Sequence, residues 1–289
     1  MKKQYSYFIA VGIFMSTIFT SCEKEKDEDI VMTMTTSASG EVSISLAGTG
    51  FATIDWGDGS SSDTKELLEN TAATLYSSLK FEHNYSDANT RTIKIYGDNI
   101  TGLYCSALQL TNLDVSRNTA LKWLRCQINQ LTRLDLRNNK ALILLECYLN
   151  QLTSLDVSKN AALTYLSCSH NQLTKLDVSN NNALTYLVCS NNHLTSLDMS
   201  YNSVLTTLLC KDNKLTSLDM SGSVMLTLLD CQTNQLSAVA LDALFGTLHC
   251  IGMVEVKAIF IRDNSGADHC DPSIAMDKGW MVDITTIWE

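Results

Sequence analysis

Apolar positions along this chain keep a fixed beat. From Leu152 to Gln172 the sequence reads LTSLDVSKNAALTYLSCSHNQ, two similar halves of the form L-x-x-L-x-(V or C)-x-x-N. Alternation of Leu155 with Val157, and of Leu166 with Cys168, puts two apolar side chains on one face of a short extended segment and turns the intervening residues outward. Neither half is long enough for a helix plus a strand. Each unit is therefore expected to form a coil with two short strands and two corners that contain asparagine.

The unit recurs without insertion. Cys105, Cys126, Cys147, Cys168, Cys189, Cys210 and Cys231 stand 21 residues apart. Asn129, Asn150, Asn171, Asn192, Asn213 and Asn234 follow three residues after a cysteine, and Asp114, Asp135, Asp156, Asp177, Asp198 and Asp219 form a third column. Physics requires such units to stack. About six inward apolar side chains contribute roughly 1.5–3 kcal/mol each when buried, whereas ordering the backbone costs roughly 1–2 kcal/mol per residue. A lone coil cannot fold, so neighbours must supply strand pairing and a continuous core. The corner asparagines are suited to backbone groups that a tight turn leaves unpaired. The repeat resembles the leucine-rich repeats of the nested 21-residue bacterial class, over residues 100–236. That resemblance implies a mainly β leucine-rich-repeat solenoid that binds partners.

An open solenoid needs caps over its core and its strand edges. Before the repeats, residues 30–99 show strand alternation at Val42, Ile44 and Leu46 and again at Ile93 and Ile95. Between them stand Trp56-Gly57-Asp58-Gly59, with an Asp-Gly turn signal, and later His83-Asn84-Tyr85. These residues resemble the W-x-x-G-D-G and H-x-Y pattern of PKD-like β-sandwich domains, which implies a sandwich-like N-terminal cap. After the repeats, residues 237–289 read as a small α/β cap. Leu241, Leu244, Phe245 and Leu248 recur at helical spacing, a strand is expected from about Glu255 to Ile261, and a short helix from Asp271-Pro272.

The first residues add a location. Lys2 and Lys3 precede an apolar run from Phe8 to Phe19, the pattern of a secretory signal over residues 1–21. Phe19-Thr20-Ser21-Cys22 resembles a bacterial lipobox, which implies an acyl anchor on Cys22. The charged run over residues 22–29 is read as a tether; placed after a lipobox it resembles the acidic signal that sends some Gram-negative lipoproteins to the outer leaflet. A lipid-anchored protein of the outer membrane, exposed at the cell surface, is the expectation, with the membrane reached only through the acyl chain. Formal charge is −10, and loss of Lys2 and Lys3 takes it to about −12. Such a balance argues against nucleic acid, whose phosphates need clustered Lys and Arg.

Candidate chemistry is sparse. Inward thiols in a Leu-lined core, with no histidine in phase, do not converge on a metal. Their spacing of about 4.8 Å along a parallel ladder exceeds the roughly 3.8 Å between Cβ atoms of a disulfide. They read as small buried hydrophobes. Cys250 and Cys270 lie outside the ladder and could pair in an oxidising compartment. Calcium along the aspartate column, or at Asp55 and Asp58, competes with simple turn formation, and the Gly-rich calcium nonapeptide is missing. No H-E-x-x-H, phosphate loop or nucleophile elbow is present, and no cofactor is implied.

One contrast points to recognition. Outward positions on the aspartate half are monotonous, whereas on the cysteine half they vary and include Tyr104, Trp123, Arg125, Tyr148, Tyr165, Tyr186 and Lys211. Exposed aromatics with Arg are typical of binding surfaces. The sequence thus points to a non-catalytic protein-binding or adhesion module, with the first six as its ligand-binding face. The alternative is an accessory glycan-binding lipoprotein for polysaccharide capture or degradation, in which the aromatic column stacks on sugars.

Overall fold

The computed structural model describes residues 29–68, 78–250 and 256–282. The signal segment, Cys22 and all but the last residue of the charged tether lie outside the described residues. Among those described, no helix is long and apolar enough to cross a membrane.

Eight strands open the structure: β1 (Ile30–Thr36), β2 (Gly40–Thr49), β3 (Phe51–Asp55), β4 (Asp63–Glu66), β5 (Leu79–Tyr85), β6 (Arg91–Tyr96), β7 (Asn99–Tyr104) and β8 (Leu110–Asp114). They form two facing layers. One sheet has the order β4-β3-β6-β1-β8, and the other begins β5-β2-β7. Strict alternation supplies the core between them: Met32, Met34, Ile54, Ile93 and Ile95 from the first, Val42, Ile44, Leu46 and Phe81 from the second, all buried.

The Trp-Gly-Asp-Gly stretch locks one corner of this unit. Trp56 stacks on His83 (5.0 Å between centroids), and the Tyr85 hydroxyl donates to the Trp56 carbonyl (2.7 Å). Asp55 accepts from the Gly57 amide, and Asp58 accepts from the Ser60 amide and pairs with His83 Nε2 (2.7 Å). Gly57 sits at φ +75°, where a Cβ would meet the Thr92 carbonyl at 2.3 Å, so only glycine fits. Turn formation and this lock account for both aspartates.

The second sheet does not stop at β7. Parallel three-residue strands continue it: β9 (Trp123–Arg125), β10 (Leu144–Glu146), β11 (Tyr165–Ser167), β12 (Tyr186–Val188), β13 (Thr207–Leu209) and β14 (Leu228–Asp230). All pair with the 21-residue register, Leu124 on Leu145 on Leu166 on Leu187. Behind them Leu121, Leu124 and Cys126 and their equivalents are fully buried in one continuous core. The solenoid and its ladder of inward thiols are therefore as the periodicity predicts.

The expectation of two strands per coil is corrected: the cysteine half carries the single ladder strand. On the aspartate half the amides have other partners. The Ser158 amide goes to Asp156 Oδ1 (2.9 Å), the Leu152 amide to Asn171 Oδ1 (2.9 Å), and only Gln151 reaches the preceding coil, at Leu131 (2.9 Å). The one exception, β8, is recruited by β1 of the sandwich in antiparallel pairing.

Corners bind coil to coil. Asn171 Oδ1 accepts from Leu152 of the previous coil, while Nδ2 donates to the carbonyls of Cys147 (3.1 Å), Cys168 (3.0 Å) and Ser169 (3.2 Å). The opposite corner is less complete. Asn160 Nδ2 donates to Leu136 (3.2 Å) and Asn139 (2.8 Å), but its buried Oδ1 accepts nothing. One residue before each first-corner asparagine the backbone is left-handed: Ile128, Leu149, His170, Asn191, Asp212 and Thr233 have φ between 51° and 59°, and Ala107, before Leu108, matches them at 57°. No glycine stands in that column, so the sequence hid it.

The C-terminal cap imitates another coil. Helix α1 (Ala238–Thr247) starts at Ser237, whose side chain accepts from Ala240, and buries Leu241, Leu244 and Phe245. Strand β15 (Lys257–Phe260) then joins β14 in parallel, with Ile261 in the cysteine position. Asn264 Nδ2 donates to Cys231 (2.9 Å), and its Oδ1 accepts from Leu236 (3.0 Å), which repeats the corner. A short helix, α2 (Ser273–Met276), and strand β16 (Trp280–Val282) complete the 11-stranded sheet. Asp271 Oδ1 accepts from the Ser273 amide (3.0 Å), so the aspartate closes the helix start one residue later than the sequence suggests.

Candidate functional site

Alternation in each three-residue strand sends its central leucine inward and its first and last residues outward. Stacking turns these into columns. The first column runs Trp123, Leu144, Tyr165, Tyr186, Thr207 and Leu228; the next runs Tyr104, Arg125, Glu146, Ser167, Val188, Leu209 and Asp230. Gln127, Tyr148 and Ser169 follow in a third. All six residues singled out by sequence, Tyr104, Trp123, Arg125, Tyr148, Tyr165 and Tyr186, reach this one face and are half-buried on it.

Their geometry is tightly coupled. The Tyr165 and Tyr186 rings lie parallel, 4.9 Å apart with 6° between planes. That spacing is the coil repeat itself, so each ring covers a face of the other. Arg125 sits over the Tyr104 ring (5.5 Å) and pairs through Nε with Glu146 (3.3 Å). Lys122 reaches over Trp123 (5.9 Å). Burial first, and then the neighbouring Glu146, push the Tyr165 hydroxyl up to about 12. It is a neutral donor throughout the physiological range.

Sequence reading missed two components. Glu146 had no motif to announce it, and register alone brings it beside Arg125. A threonine rail edges the face: Thr185, Thr206 and Thr227 each donate Oγ1 to the carbonyl one coil earlier (3.0, 2.9 and 3.1 Å). Its signal was present as Thr164, Thr185, Thr206 and Thr227, recurring every 21 residues.

The other candidates resolve into structure. Burial pushes the ladder thiols up, Cys105 and Cys168 to about 12 and the others in the same direction. They stay protonated and unreactive. No disulfide joins Cys250 and Cys270: Cys250 is exposed, while Cys270 Sγ is turned toward the Ala267 carbonyl (3.4 Å). Each column aspartate is exposed and accepts the amide two residues on, as in Asp177 with Ser179 (2.9 Å). Among the described residues no group of three His, Cys, Asp or Glu is placed to hold a metal ion.

Two depressions lie elsewhere, on the aspartate half. One of about 590 Å³ is lined by Asp114, Arg133, Asp135, Arg137 and Asp156, another of about 390 Å³ by Lys175, Asp177, Asp198 and Tyr201. Both are open troughs between repeated turns. Their carboxylates already serve the turn amides, so concavity there reflects coil shape, and the side-chain chemistry favours the strand face.

No protein-family model matches the sequence, and no curated protein matches it. Solved structures do. The functional domain of InlJ from Listeria monocytogenes, described as including a cysteine ladder, is similar at 30% identity and a TM-score of 0.35, covering 62% of this chain and 49% of that one. A leucine-rich-repeat protein of Leptospira interrogans is similar at 24% identity and a TM-score of 0.48 (59% and 44%). The internalin InlF from Listeria monocytogenes follows at 23% and 0.42 (47% and 43%). These structural neighbours are leucine-rich-repeat proteins. The chain spans less than half the length of each.

Proposed function

We propose that this chain is a non-catalytic, protein-binding or adhesion module that offers its strand face to a partner. One observation carries the reading: aromatic side chains concentrate on the outward side of β9–β12, while the aspartate half of the same coils repeats Asp in one column. Tyr, Trp and Arg at half-buried positions are the residue types that dominate binding energies. The ring arrangement favours polypeptide over sugar. Tyr165 and Tyr186 each give one face to the other, which leaves less open ring surface for a sugar to stack on.

The same proposal includes export by the N-terminal signal, an acyl anchor on Cys22, a PKD-like sandwich as the first cap, and display at the surface of the outer membrane. Two experiments test it. Palmitate labelling of cells expressing the chain should mark it and should vanish with Cys22→Ala. Purified protein should capture an extracellular protein reproducibly, and the triple variant Trp123→Ala, Tyr165→Ala, Tyr186→Ala should lose it. Undiminished capture refutes the face; glycan-array binding that disappears with Trp123→Ala would instead favour the glycan-capture reading.

A further inference from the structure

The thiol ladder inside the solenoid is spaced so that its members cannot join. Cys105, Cys126, Cys147, Cys168, Cys189, Cys210 and Cys231 are all free and fully buried. Each continues the strand register: the Cys126 amide reaches the Glu146 carbonyl (2.8 Å), the Cys147 amide that of Ser167 (2.9 Å) and the Cys168 amide that of Val188 (2.8 Å), in each case the residue before the next cysteine. Neighbouring Cβ atoms therefore stand about 4.8 Å apart on parallel bonds, wider than the roughly 3.8 Å of a disulfide. Cysteines two coils apart are separated by about 9.6 Å, past the roughly 7 Å that a bridge between Cα atoms can span. Fully buried leucines flank every rung, Leu163, Leu166 and Leu173 around Cys168 for example, so the backbone has no room to close either gap.

Unfolded chain is the opposite case. Its thiols return to an ordinary pKa of about 8.5, against about 12 for Cys105 and Cys168 inside the core. Loop closure depends only weakly on loop length, so pairings between near and distant coils compete. With glutathione disulfide as oxidant, one ladder thiolate attacks and releases one glutathione; a second ladder thiolate then attacks the mixed disulfide and releases another. Two ladder thiols thereby lose two protons and two electrons, and the glutathione disulfide is reduced to two glutathiones. We infer that the cysteine ladder is a redox checkpoint on folding: coil stacking and ladder oxidation exclude each other, and whichever comes first fixes the state of the chain. A completed solenoid hides all seven thiols from the oxidant. A chain oxidised first carries bridges that stacked coils cannot hold. Periodicity makes the exclusion complete, since every rung has the same spacing. For a chain delivered unfolded into an oxidising compartment, stacking must outrun oxidation. The inference is independent of the strand-face reading.

The full chain with Cys22→Ala, Cys250→Ser and Cys270→Ser, which keeps thiols only on the ladder, tests it. Diluted from guanidinium with its thiols reduced, this protein should regain the native circular dichroism spectrum. Oxidised with glutathione disulfide before dilution, its recovery should fall at least about tenfold; peptide mapping should place disulfides on ladder cysteines, and dithiothreitol should restore folding. A second measurement starts from native protein: with glutathione disulfide present in rising urea, loss of ladder thiols should follow the unfolded fraction. Full recovery of the oxidised chain with its bridges retained overturns the checkpoint. So does thiol loss at one rate below and above the unfolding transition, whether or not the reduced chain refolds on dilution.

Discussion

Asparagine at the first corner should matter far more than asparagine at the second, and the structure says by how much. Replacing Asn171 by Ala strands the buried Leu152 amide, whose partner is Asn171 Oδ1. An unpaired buried donor costs about 1–3 kcal/mol. Three donated bonds also go, but Cys147 keeps Asn150, Cys168 keeps Asn192, and the Ser169 carbonyl keeps Leu149. Each lost bond is therefore worth only about 0.5 kcal/mol, and the total is roughly 3–4 kcal/mol. At Asn160 the two accepting carbonyls keep backbone donors, Asn139 and Leu142, and Ala also removes an oxygen that accepts nothing. The cost there should be about 0–1 kcal/mol. Urea unfolding followed by circular dichroism measures both, provided the slopes agree, since repeat arrays can lose cooperativity. Native-state hydrogen exchange at Leu152 should accelerate only in the first variant. Equal losses in the two variants would refute the assignment of the corners.

Three further outcomes follow from the same architecture. Thr233, β-branched at φ 51°, should gain about 1 kcal/mol on replacement by Asn, which tolerates that backbone, and a melting temperature that does not rise would contradict it. Asp156 and Asp177 are held below their ordinary value of 3.8, first by the serine side chain two residues on and then by its amide, and Asp198 mainly by the Ser200 amide. Depressed folded-state values add stability that is complete above about pH 4 and is lost as pH falls below it; Asp177→Asn, which keeps a neutral acceptor but cannot ionise, should lose that increment at pH 7 and flatten the acid limb of the unfolding curve. In the Cys22→Ala protein, a thiol reagent should modify Cys250 quickly and leave the seven ladder thiols untouched until unfolding exposes all nine remaining cysteines; rapid labelling of the ladder in the native state would contradict its burial.

Much of this architecture was written into the sequence because a strict period permits one stacking register. The inward cysteines, the strand on each cysteine half, the outward aromatic column and the helix at Leu241 to Leu248 all follow from phase and alternation. What stayed hidden depends on who takes each amide. Nothing in L-x-x-L-D-V announces that Asp156 will hold the Ser158 amide and Asn171 the Leu152 amide, on either side of a stretch that forms no strand. The left-handed corner carries Ile128 and Leu149 instead of glycine, so composition gave no hint of it. Recruitment of Leu110–Asp114 by β1 is a contact distant in sequence, invisible to any local pattern. On the candidate face, Tyr and Trp were legible as residue types, whereas Glu146 became visible only when neighbouring coils were placed side by side.

The C-terminal cap engages the last coil through the same Asn264 and Ile261 positions that any coil presents to the next. Its joint is keyed to a generic rung, so the fold works as a ruler of adjustable length. Excising Leu152–Gln172 would bring the two ends about 4.8 Å closer and leave both joints chemically unchanged. Gain or loss of one such phased unit can therefore alter reach and the order of surface residues in one step, with no new interface to invent.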